Sequence, residues 1–96
     1  MNENIFQAFL IKEIKKRFIG AMVIKTDPNY IQGLPDLLVL YKKHWAALEV
    51  KKNLTARHQP NQDFYISKMH GMSFAAFISP ENYEEVLDDL QSAFES

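Results

Sequence analysis

Gly33-Leu34-Pro35-Asp36-Leu37-Leu38-Val39-Leu40-Tyr41-Lys42-Lys43-His44-Trp45-Ala46-Ala47-Leu48-Glu49-Val50-Lys51 is the stretch on which the fold turns. Leu37 to Tyr41 is an unbroken apolar run of strand length, and Trp45 to Val50 is a second. Lys42-Lys43-His44 between them is long enough only for a hairpin turn. Side chains alternate along a strand, so Glu49 and Lys51 share one face while Val50 points into the opposite layer. Folding about residues 42–44 brings residue 37 back towards residue 49 and sets Asp36 beside Glu49, with Lys51 on the same edge. Two carboxylates and an ammonium then meet at the end of two apolar strands. Such a cluster is costly to keep unless it binds something. Taken alone, Glu-x-Lys is more often a solvated pair on an edge strand, so the rest of the chain must arbitrate.

Before the hairpin, Glu3 to Phe18 has the spacing of a helix. Ile5, Phe6, Phe9, Leu10, Ile14 and Phe18 form its apolar stripe, and Lys12, Lys15, Lys16 and Arg17 load the other side and the C-terminal end. Asn2 or Asn4 caps its start and Gly20 ends it. Ala21 to Lys25 is strand-like, and Asp27-Pro28-Asn29 breaks it. The loop to Leu34 holds Tyr30, more simply a core-packing residue than a substrate contact. After the hairpin, Asn53 to Pro60 is polar and irregular. Asn61 to His70 reads as a helix with Phe64, Tyr65, Ile66 and Met69 facing inward and Gly71 as its stop. Phe74 to Ile78 is a short buried strand. Ser79-Pro80-Glu81 opens a last helix, whose stripe is Tyr83, Val86, Leu87, Leu90 and Phe94. The order α-β-β-β-α-β-α, without repeat or linker, predicts one α/β domain over residues 1–96 around a central mixed sheet.

Ninety-six residues, 47% of them hydrophobic, suffice for a single core. With no cysteine, disulfides and thiolate metal sites are excluded. Charge within the first 13 residues argues against a signal peptide, so a cytoplasmic location is the expectation. The net charge of −1 conceals an asymmetry: residues 81–96 carry six acids and no base, whereas residues 1–80 carry all 11 Lys and Arg against six acids. A polyanionic partner fits that body, although a solvated acidic helix on an ordinary surface fits the same numbers.

Asp36 and Glu49 are hard oxygen ligands suited to Mg²⁺ or Mn²⁺. A lysine beside such an ion can orient a water or neutralise charge on phosphorus, which are the parts of phosphodiester hydrolysis. Pro35-Asp36 followed by Glu49-Val50-Lys51 resembles the PD-(D/E)xK nuclease superfamily, and the element order resembles its restriction-endonuclease-like core. More narrowly, the chain resembles a stand-alone VRR-NUC domain of the kind found in phages. The resemblance runs over residues 3–90. It rests on Glu3 and Gln7 in the first helix, Gly33-Leu34-Pro35-Asp36, Glu49-Val50-Lys51-Lys52, and Gln62 opening the next helix.

The resemblance implies a metal-dependent DNA endonuclease. Asp36, Glu49 and the Val50 backbone carbonyl would hold the ion, and Lys51 would act on the nucleophilic water. Gln62 would support the site or the scissile phosphate, and Glu3 would complete the metal shell directly or through water. Gln59 competes with Gln62 for its role, and Glu13 with Glu3. Lys52, Arg57 and His58 are expected at the DNA backbone, the alternative being a solvent-facing neighbour for Lys52 and a mobile polar loop for Arg57 and His58. Related domains act on branched DNA such as four-way junctions, where paired incisions imply a homodimer. The competing class is a non-catalytic DNA- or protein-binding module on the same fold.

Overall fold

The computed structural model describes residues 1–96. In chain order the elements are α1 (Glu3–Arg17), β1 (Met22–Lys25), β2 (Leu37–Tyr41), β3 (His44–Val50), α2 (Gln62–Met72), β4 (Phe74–Ile78) and α3 (Tyr83–Glu95). The sheet order is β1-β2-β3-β4, antiparallel except for the parallel β3–β4 pair that α2 connects. The expected α/β class and mixed sheet are therefore present. The hairpin turn is tighter than expected: His44 joins β3 opposite Tyr41, leaving only Lys42 and Lys43 in the turn, with Lys42 at φ +55°. No helix is long and apolar enough to cross a membrane.

One face of the sheet carries the core. Leu37, Val39, Ala46, Leu48, Val50, Phe74 and Ile78 meet Phe6, Leu10, Ile14 and Phe18 of the first helical segment, and Val86, Leu87, Leu90 and Phe94 of α3. Each large side chain buried there contributes about 1.5–3 kcal/mol. Phe6, Leu10, Ile14 and Phe18 recur every fourth residue, and that row fixes which side of α1 is buried. Ile5 lies off it and is 57% exposed, against the expectation. Asn2 is the cap that forms, its side-chain oxygen accepting from the Ile5 N–H at 2.8 Å. Gly20 follows at φ +91° and turns the chain into β1.

The other face is covered only in part, by α2 packed over β3 and β4. This explains two departures. Tyr65, Ile66 and Met69 are half-buried rather than core, and Phe64 is 58% exposed, because α2 has a single layer beneath it and solvent above. Gly71 does not stop α2; the helix continues to Met72, and Ser73, at φ −152° and ψ −114°, makes the break into β4. A helical glycine costs about 1 kcal/mol relative to alanine, which tertiary contacts readily offset. α3 also begins later than expected. Asn82 folds back to accept from the Ser79 N–H at 2.7 Å, so Ser79 and Pro80 lie in a turn ahead of the helix.

Candidate active site

The register Leu37↔Leu48 sets Asp36 across from Glu49. Asp36 is held by backbone beyond the regular ladder. The Thr26 N–H donates to the Asp36 carbonyl at 2.9 Å. The Thr26 hydroxyl donates to the Pro35 carbonyl at 2.6 Å. Asp36 Oδ2 in turn accepts from the Val50 N–H at 2.9 Å, which fixes the carboxylate across the end of β3. Thr26 has no sequence signal of its own, since only the pairing of β1 with β2 reveals its position. One residue past β3, the Lys51 N–H donates to the Ile78 carbonyl, so pairing with β4 carries Lys51 into the interior. Because β3 lies between β2 and β4, the solvated edge-strand reading fails: Glu49 is 4% and Lys51 7% exposed.

Gln62, the first residue of α2, joins the two charges. Lys51 Nζ donates to Gln62 Oε1 at 2.7 Å and to the Arg57 carbonyl at 3.0 Å. Gln62 Nε2 donates to Glu49 Oε2 at 3.1 Å. The Gln59 N–H also donates to Gln62 Oε1, at 2.8 Å. Two donors meet the amide oxygen and a carboxylate meets the amide nitrogen, an orientation that satisfies every partner. No buried side-chain polar atom in the structure lacks one. Between the competing glutamines, it is Gln62 whose side chain touches both charges, while Gln59 contributes backbone.

The remaining electrostatics are unbalanced. Burial first, then the Asp36 carboxylate beside it, pushes the Glu49 carboxyl up to about 8; Lys51 opposes this and Glu3 adds to it. Without a further positive charge, the pair prefers to hold a proton.

A cleft of about 450 Å³ opens over these groups, lined by Glu3, Asp36, Glu49, Lys51, Lys52, Ala56, Arg57, Gln59 and Gln62. Glu13 lies elsewhere, in a cleft between α1 and α3, where its carboxylate meets Lys16 at 3.3 Å. Lys52 and Arg57 stand at the mouth and are exposed. His58 is absent from the lining. Its ring stacks on Phe77 with centroids 3.9 Å apart, and Nδ1 meets Asp63 Oδ1 at 2.7 Å, so it pins the loop over β4. Tyr30, expected on the core, is 78% exposed, because Asp27 holds its loop in a local turn through the Asn29 and Tyr30 N–H groups.

No three His, Asp or Glu side chains meet closely enough to hold an ion by themselves. The donor set nevertheless suits a hard cation: two adjacent carboxylates, carboxylate charge in excess of ammonium, and a carboxyl that protonates when no cation is present. Val50 could add its carbonyl and water the remaining positions, with Glu3 on the rim.

No protein-family model matches the sequence, and no curated protein resembles it significantly. Two solved structures do match. One, described as a VRR-NUC domain, is 24% identical with a TM-score of 0.63, covering 88% of this chain and 92% of that one. The other, described as a VRR-NUC domain protein, is 15% identical with a TM-score of 0.70, covering 99% of this chain and 89% of that one. In fold, this chain is similar to these VRR-NUC domain structures.

Proposed function

We propose that the protein is a Mg²⁺- or Mn²⁺-dependent endonuclease that hydrolyses phosphodiester bonds in DNA. The observation carrying this reading is the half-buried Asp36 set across from a buried Glu49, which Gln62 joins to the buried Lys51. Asp36, Glu49 and the Val50 carbonyl would hold the cation, with Glu3 completing its shell directly or through water. When bound, the ion supplies charge to a phosphate oxygen and acidity to a water. Lys51 has three donor protons and two protein acceptors, which leaves one proton to orient that water or to meet charge developing on phosphorus. Gln62 keeps the ammonium at a fixed position, a prerequisite for an in-line attack.

Lys52 and Arg57, exposed at the cleft mouth, bind the DNA backbone. The resemblance to VRR-NUC domains supports branched DNA as substrate and a homodimer making paired cuts. A monomer with principal extents of 31 × 29 × 22 Å is small beside a four-way junction, which favours the dimer.

The test is to incubate the protein with labelled four-way junction, flap, linear duplex and single-stranded DNA in Mg²⁺, Mn²⁺ or EDTA, beside a folded Lys51→Ala variant. Metal-dependent cuts lost in the variant are the expected result, with symmetric cuts confined to the junction. No product from any substrate, while DNA binding survives EDTA, would replace the nuclease with a binding module.

A further inference from the structure

Gly33 and Asn61 are 28 residues apart in sequence, and each adopts a left-handed backbone. Gly33 has φ +89° and Asn61 φ +72°, ψ −7°. They touch without a side chain of Gly33 between them: a methyl group there would stand 2.6 Å from Asn61 Cβ, 2.8 Å from the Pro60 carbonyl oxygen and 2.9 Å from the Asn61 carbonyl carbon. Real side-chain carbons do not approach that closely, so this contact admits glycine alone.

Asn61 is equally particular. It occupies the N-cap of α2, where extended backbone is usual and an asparagine normally bonds its side chain to the helix. Here it makes no such bond. Its unusual conformation therefore does not serve the cap. It lays the Pro60–Asn61 peptide flat against Gly33.

We propose that Gly33 is a positioning residue: its bare backbone, seated on Pro60–Asn61, sets the spacing between Asp36 and Gln62 across the cleft. The arms on both sides are short and stiff. From Gly33 the chain passes a turn, in which the Leu34 N–H donates to the Ile31 carbonyl, and the ring-locked Pro35 before reaching Asp36. From Asn61 it passes directly to Gln62, and the Tyr65 N–H on the Asn61 carbonyl locks the first turn of α2. A displacement at the contact is carried to the amide that holds Lys51 and Glu49. This deepens the nuclease reading and rests on it for its kinetic consequence, but not for its structural one.

Gly20 is the control the fold provides. It has φ +91°, nearly the conformation of Gly33, with open space where a side chain would go. Alanine at either position carries a similar conformational strain, and only alanine at Gly33 collides. The experiment compares Gly33→Ala, Gly20→Ala and the double variant Gly33→Ala/Asn61→Gly, which removes the struck Cβ, suits the left-handed position and frees the backbone there to give way to the two contacts that remain. Two quantities are read: steady-state cleavage of junction DNA in Mg²⁺, and the Gln62 side-chain amide resonances, assigned by their loss in Gln62→Ala.

The expected result is a kcat lower by about 100-fold in Gly33→Ala, with KM little changed and the Gln62 resonances displaced. Gly20→Ala matches the wild type in both, and the double variant regains part of the rate. Equal behaviour of the two alanine variants overturns the proposal. Should Gly33→Ala not fold, a Gly20→Ala variant that folds supports the contact, and one that also fails to fold overturns it. If the wild type cuts no DNA, the nuclease reading fails, and the Gln62 resonances alone decide the interlock.

Discussion

At its turn end the β2–β3 hairpin meets rings. Tyr41 lies 5.4 Å from Phe18 and 5.6 Å from Phe94, Phe18 lies 5.3 Å from Phe94, and His44 stacks on Phe94 at 5.7 Å. At its open end the same two strands finish in Asp36, Glu49 and Lys51, tied to Gln62. Both ends are packed, but by different physics. Aromatic contacts need no particular charge state and contribute about 0.5–1.5 kcal/mol per pair beyond the area they bury. The polar end satisfies every hydrogen bond and still leaves Glu49 with a raised carboxyl, so its packing is complete and its charge is not. Stability and chemistry are thereby assigned to opposite ends of one hairpin, and substitutions at the two ends should give opposite phenotypes.

The largest expected effect is at the polar end. Lys51→Ala should lower DNA cleavage by about 1,000-fold, in line with removal of a single transition-state donor, while the melting temperature stays level or rises. A large loss of stability in a calorimetric scan would break the contrast. Phe94→Ala should do the reverse, costing about 3 kcal/mol in urea unfolding while the folded fraction cuts DNA normally. Of intermediate size is the pH dependence of the metal-free protein. Glu49 keeps its proton up to about pH 8 in the folded chain but only to about 4.5 when unfolded. The folded state therefore binds the extra proton between those values. Its contribution to stability is fully present below about pH 4.5 and is lost as pH rises through 8. Glu49→Gln should flatten that slope in EDTA, and an unchanged slope would mean that the carboxylate pair is not its source. The smallest effect belongs to Asn2→Ala, about 1 kcal/mol from the lost cap of α1, with the first turn carrying Glu3 loosened and the aromatic end unaffected.

The placement of the polar cluster was legible in the sequence because it depends on two short apolar runs and an alternation of period two, which fix the register to within a residue. The stripe of α3 was legible for a similar reason: Val86, Leu87, Leu90 and Phe94 face one unambiguous core. What was not legible involves tertiary cover. Phe64 reads as apolar wherever it stands, and only the half-covered outer face explains its exposure. Gly71 resembles a stop, yet β4 begins so soon after it that the break falls on Ser73. The partners of His58, Phe77 and Asp63, share no sequence pattern with it and are brought together only by the β3–α2–β4 crossover. Within the site, Asp36, Glu49 and Lys51 could be read from pattern. The contact of Gly33 with Asn61 could not, because it is made by backbone and leaves no periodic trace.

We propose that a divalent cation held on Asp36 and Glu49 completes the open end of the hairpin. Thermal unfolding of the wild type and of Asp36→Asn, each titrated with MnCl₂ after EDTA treatment, tests it most directly. A ligand that binds only the folded chain adds about 2.7 kcal/mol at 100 times its Kd. The expected result is a saturable rise in Tm for the wild type and none for Asp36→Asn. An unchanged wild-type Tm, or the same rise in both proteins, would contradict it.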